Sequence, residues 1–177
     1  MGSSVAILGV PRNNSALKEC FRSRLSLKYE AAPPSSMYQG KYAEAEPLYE
    51  RCQAIEEKVL GSEHPSLATT LNNRGGLLYQ QGKYAEAEPL YERCQAIEEK
   101  VLGSEHPSLA RTLNNRAGLL YKQGKHKEAV TFLERASCIF RKKLGESHHS
   151  TVDTRNSLER LRKLVREREV LSSCHET

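Results

Sequence analysis

The chain has 177 residues, 38% of them hydrophobic and 28% charged, with no tryptophan and a formal net charge of +5. That length holds one ordinary domain or a short array of repeats sharing a core, and that polarity excludes a chain built of membrane spans. The charge is uneven: residues 41–140 carry 13 Lys/Arg against 14 Asp/Glu, whereas residues 1–40 and 141–177 each hold three more bases than acids.

The N-terminal apolar run VAILGV, Val5 to Val10, follows no basic residue and is too short for a signal-peptide core or a membrane span, so a cytoplasmic protein is expected. Cys20, Cys52, Cys94, Cys138 and Cys174 are odd in number, widely spaced and free of C-x-x-C pairs. Free thiols are expected rather than a disulfide framework or a zinc site. Residues 1–37 read as a non-repeat segment, partly disordered or weakly helical. Asn13 to Ala31 carries only a faint amphipathic line through Leu17, Phe21 and Leu25, and Pro33-Pro34 breaks any helix there.

From residue 38 the chain repeats. QGKYAEAEPLYERCQAIEEKVLGSEHPSLA runs from Gln39 to Ala68 and returns from Gln81 to Ala110, a period of 42 from 81 − 39. Windows 39–83 and 81–125 differ only at Thr69/Arg111, Gly75/Ala117 and Gln80/Lys122, and a degraded third copy begins at Gln123. Each period predicts two helices. Leu67, Leu71, Gly75 and Leu78 form a one-sided stripe that ends at the turn Gln80-Gln81-Gly82. A second helix starts near Lys83, carries Ala87, Leu90, Tyr91, Cys94, Ile97 and Val101 on one side, and stops at Gly103. His106-Pro107 then opens the next helix, with proline at the first position.

A helical hairpin of this kind cannot bury both apolar faces alone, so neighbours must stack. The expected fold is an all-α solenoid of antiparallel hairpins: a half repeat over 38–64, full repeats over 65–106 and 107–148, a capping helix over 150–170 and a flexible tail over 171–177. The cap keeps an apolar line at Val152, Leu158, Leu161 and Val165 but sets Arg155 and Glu159 in place of the usual leucines.

Gly75, Ala87, Tyr91 and Cys94, and then Ala117, Ala129, Leu133 and Ala136, resemble the signature of the tetratricopeptide repeat, with Leu133 departing from the usual aromatic. LNN-x-A/G-x-L-x-Y-x-x-QGKYAEAEPLYER together with EEKVLG-x-x-HP, at 42 residues rather than 34, is similar to the repeats of kinesin light chains over roughly residues 38–150. The resemblance implies a right-handed superhelix whose first helices line a concave face that holds peptides. It implies a groove at Thr69, Asn72, Asn73, Gly76, Arg111, Asn114, Asn115 and Gly118, with Asn73 and Asn115 gripping a peptide and Arg111 offering a fork to a carboxylate. It implies a non-catalytic interaction scaffold for a protein or peptide ligand, an acidic one among them. A kinesin-light-chain-like cargo adaptor, or a repeat fragment of a larger NTPase-linked signalling protein, is the alternative.

No membrane partner is expected, nor nucleic acid: the basic cluster Arg141-Lys142-Lys143 and the set Arg160, Arg162, Lys163, Arg166 and Arg168 lack interleaved aromatics and alternate with Glu159, Glu167 and Glu169. No cofactor or metal is expected either. His64 and His106 read as turn residues, and Cys52 and Cys94 as core thiols without the partners of a nucleophile. Arg74 and Arg116 occupy a position where the resemblance calls for leucine. Each is expected either to pair with a second-helix glutamate such as Glu88 or Glu92, or to destabilise its repeat.

Overall fold

The structure, a computed structural model, describes residues 38–175. The faint amphipathic line in Asn13 to Ala31 and the Pro33-Pro34 break lie outside the described residues. Among the described residues six helices follow one another: α1 Tyr38–Leu60, α2 Pro65–Gln80, α3 Tyr84–Leu102, α4 Pro107–Lys122, α5 His126–Leu144 and α6 His149–His175. No strand occurs among the described residues. α2 packs chiefly on α3 and α4 on α5, which makes two hairpins. α1 stands before them as a second helix, and α6 closes the far end.

Local sequence sets the ends of these helices. His64 and His106 cap α2 and α4, each ring Nδ1 accepting a backbone N–H two residues on, at 3.1 and 3.2 Å, with proline as the first helical residue. His148 repeats the device, accepting from the Ser150 N–H at 3.2 Å. Gly103 ends α3 at φ +89° and ψ 161°, a conformation closed to residues with a Cβ. α6 runs past residue 170 through His175.

The stripe Leu67, Leu71 and Leu78 is fully buried, against Cys94 and Ile97 at one end and Ala87 and Tyr91 at the other. Gly75 is required where it stands: a Cβ there would lie 2.9 Å from Cε1 of Tyr91. In the next hairpin the equivalent residues change together. Ala117 carries the extra methyl and Leu133, smaller than tyrosine, packs in the same cluster. Val101, expected on the apolar side of α3, is exposed because it lies in the last turn, beyond the reach of the neighbouring hairpin.

The arginines at the leucine position are paired. Arg74 donates to Gln53 Oε1 at 2.9 Å and pairs with Glu50, both in α1. Arg116 repeats this one period later, donating to Gln95 and Glu92, the latter at 2.9 Å, while its guanidinium lies 4.7 Å over the Phe132 ring. Glu92 thus serves as expected. Glu88, one turn earlier in the same helix, instead accepts from Gln123 at 2.9 Å and pairs with Lys125; each arginine reaches back to the preceding second helix rather than to its own.

Second helices are tied by ion pairs with the same period. Arg93 with Glu57 is matched by Arg135 with Glu99, Lys100 with Glu63 by Lys142 with Glu105, and Lys83 with Glu46 by Lys125 with Glu88. Exposed pairs contribute about 0–1 kcal/mol each, so they set the register between neighbours more than they stabilise it. On α6, Leu158 and Leu161 are buried, whereas Arg155 and Arg162 turn outward to Glu146 and Glu134.

Candidate peptide-binding face

The first helices α2, α4 and α6 are joined by a polar ladder with a 42-residue period. Asn72 Oδ1 of α2 accepts from Thr112 Oγ1 at 3.4 Å and from Asn115 Nδ2 at 3.1 Å, both in α4. One repeat on, Asn114 Oδ1 accepts from Thr154 Oγ1 of α6 at 3.3 Å. Asn72 is buried and Thr112 wholly so, which makes the ladder part of the inter-repeat core. Sequence reading passed over Thr112 and Thr154. The available signal was the run Thr70, Thr112, Thr154, which survives into the degraded copy while its neighbours change.

The two asparagines of each pair therefore have different surroundings. The first, Asn72 or Asn114, accepts within the ladder. The second, Asn115, donates one N–H to Asn72 and keeps its other N–H and its Oδ1. Asn73 Nδ2 is buried without a hydrogen-bond partner. The Thr69 hydroxyl donates to the Pro65 carbonyl at 3.2 Å. Gly76 and Gly118 are half-buried, and a Cβ at either would meet only a tyrosine hydroxyl, at 3.7 and 3.9 Å, so both leave backbone open. Arg111 is exposed and has no ion-pair partner among the described residues, in contrast to Arg74, Arg93 and Arg116.

Behind Arg111 lies a buried acid. Burial raises the carboxyl pKa of Glu98 above its ordinary value, against the opposing influence of the Thr112 hydroxyl, Arg111 and Cys94. Cys94 itself is buried, its Sγ 3.1 Å from the Ala68 carbonyl, and burial with the neighbouring Glu98 pushes its thiol up to about 12. It stays protonated near neutral pH, as a core thiol does. No group of three or more His, Cys, Asp or Glu side chains arranged to hold a metal occurs among the described residues.

Where α4, α5 and α6 meet, a cleft of about 400 Å³ opens. Its floor is apolar, from Ala117, Leu133, Leu161 and Leu164, and Ser157 and Arg160 are among the polar groups that line it. Gly118 and Tyr121 also line it, which sets it on the same face as the ladder.

The sequence pattern of the tetratricopeptide repeat matches residues 36–100, 66–142 and 108–165. The chain belongs to the tetratricopeptide repeat family. Among solved structures it is similar to a protein of Podospora anserina assigned as a kinesin light chain with nearly identical TPR-like repeats. The match has TM-score 0.70 and 30% identity over 84% of this chain and 66% of that one. A second structure described in the same terms matches at TM-score 0.70 and 30% identity over 82% and 66%. BtubC (BKLC) from P. vanneervenii shares the fold at TM-score 0.67 and 21% identity, over 90% of this chain and 67% of that one. No curated protein sequence matches. These tetratricopeptide repeats are thus of the kinesin-light-chain-like type, and the chain spans just under two thirds of the first similar structure.

Proposed function

We propose that this tetratricopeptide protein is a non-catalytic scaffold that captures a peptide or partner segment along the face made by α2, α4 and α6. The cleft between α4 and α6 carries the reading: an apolar floor accepts a side chain, while Arg160 at its lining and Arg111 on the same array of first helices offer charge to an acidic residue nearby. Thr69, Asn73, Gly76 and Gly118 border the same face, and the Asn72, Asn114 and Asn115 carboxamides retain hydrogen-bonding capacity beyond the ladder. A kinesin-light-chain-like cargo adaptor is a second reading, supported by the 30% identity to the Podospora anserina protein.

A peptide array probed with wild type, Arg111→Glu/Arg160→Glu and the opposite-face control Arg135→Glu tests the assignment. Acidic peptides held by wild type and the control should be lost by the double variant. An unchanged peptide profile in the double variant rules the groove out.

A further inference from the structure

Two of the three differences between the near-identical windows replace a neutral residue of α2 by a cation of α4: Thr69 becomes Arg111, and Gln80 becomes Lys122. Both cations are exposed. Arg111, Asn115, Gly118 and Lys122 follow one another at spacings of four, three and four, so they share one side of α4. Gly118 puts that side on the cleft. The cleft runs lengthwise between the two first helices, from Asn114 to Tyr121 on α4 and from Ser157 to Leu164 on α6. Its wall on α4 therefore ends in a cation at each end. Lys122, like Arg111, has no ion-pair partner among the described residues, in contrast to Lys125 and Lys127. On the facing wall Arg160 stands in the register of Gly118, since 160 − 42 is 118, and so nearer to Lys122 than to Arg111. Asp153 stands in the register of Arg111, since 153 − 42 is 111, and carries the opposite charge.

Arg111 and Lys122 are 11 residues apart, from 122 − 111. At a rise of about 1.5 Å per residue they lie about 16 Å apart along α4. An extended chain advances about 3.3 Å per residue and covers that distance in about five residues. A helix of the same length, about 10 Å across, would occupy roughly 1,300 Å³. The cleft offers about 400 Å³, which favours an extended chain.

We propose that Arg111 and Lys122 select an extended peptide with two acidic residues about five positions apart, lying along α4. The acid beside Lys122 and Arg160 meets two cations and is held the more firmly; the acid at Arg111 shares its end with Asp153. The same stripe on α2 reads Thr69, Asn73, Gly76 and Gln80 and carries no charge, so it makes no such selection. The spacing rule presupposes that the cleft holds a peptide, as proposed above.

Fluorescence anisotropy of the full chain with labelled serine–alanine peptides tests this. Each peptide carries one central leucine for the apolar floor and two glutamates whose separation varies through the series. Wild type should bind most tightly near a separation of five, by about two- to fivefold over much shorter or longer separations, the usual worth of an exposed charge pair. Arg111→Thr/Lys122→Gln gives α4 the stripe that α2 already accommodates, and it should bind all separations alike. A flat profile in wild type, or a maximum that survives in the double variant, overturns the spacing rule; the cleft reading stands in that case if Arg160→Glu still abolishes binding. A maximum near eleven, the separation that a helix would need, overturns the extended ligand. Failure of every peptide to bind overturns the spacing rule and the cleft reading together.

Discussion

The pair Gly75 and Tyr91 against Ala117 and Leu133 allows packing between a first and a second helix to be tested inside one molecule. In Gly75→Ala the new methyl would sit 2.9 Å from Cε1 and 3.0 Å from Cζ of Tyr91, whose ring is 2% exposed and cannot withdraw into solvent. Overpacking of this order costs about 1–3 kcal/mol. Replacing glycine inside a helix returns about 0.8–1 kcal/mol, so a net loss of about 0–2 kcal/mol is expected. Tyr91→Leu alone opens a cavity and should cost about 1–3 kcal/mol. Combined, the two changes rebuild the Ala117 and Leu133 arrangement, and the methyl occupies space the ring has left. The double variant should be more stable than the sum of the singles by about 1–2 kcal/mol. Urea unfolding with unchanged m-values reads this directly. Additivity within about 0.5 kcal/mol would show that the ring and the glycine do not constrain each other.

Arg74→Leu, which restores the family's usual residue, should lower stability by about 0.5–1 kcal/mol, because it strips Gln53 and Glu50 of their shared partner; a rise in Tm would show that the arginine is a strained intruder. Glu98→Gln tests the buried acid. Its folded pKa lies above 4.5, so the native state holds the proton more tightly, and this contribution is complete below 4.5 and declines as pH rises through the folded value. The variant should match wild type near pH 4 and melt higher near pH 8, whereas the same Tm difference at both would exclude a raised pKa. Thiol labelling mapped by mass spectrometry should modify exposed Cys138 in the native protein and reach buried Cys52 and Cys94 only on unfolding. Labelling of Cys94 at the rate of Cys138 would contradict its packing.

The helices were legible because their signals are local. Proline after histidine, glycine after the last apolar residue and leucines at helical spacing each act within one turn or one hairpin, and the 42-residue period multiplies them. The backward reach of Arg74 was half legible: a glutamate partner was expected, but the sequence alone does not tell the residue's own hairpin from the preceding one. The ladder was not legible from the pattern LNN, because a polar residue facing a ligand and one facing a threonine 40 residues away in the chain carry the same hydrophobicity. The Gly75-to-Ala117 difference was visible as one of three changes between copies. Its meaning appears only when Tyr91 and Leu133 are seen to change with it.

Near-identical copies also separate what a residue is from what its place in the array makes it. Asn73 and Asn115 sit in the same local sequence on the same face of equivalent helices. Yet the Asn115 amide is held by Asn72, while the corresponding donor of Asn73 is buried without a partner. Thr70 and Thr112 divide in the same way. Since the local sequences match, the difference comes from the neighbour each one meets. In a one-dimensional array each repeat contacts only its neighbours, so equivalent residues differ where those neighbours differ. α6 meets its neighbour through Thr154, which donates to Asn114, and through Arg162 and Arg155, which pair with Glu134 and Glu146. In α2 the Thr70 hydroxyl and the Asn73 amide, the counterparts of the two donors that α4 gives to Asn72, are buried without partners.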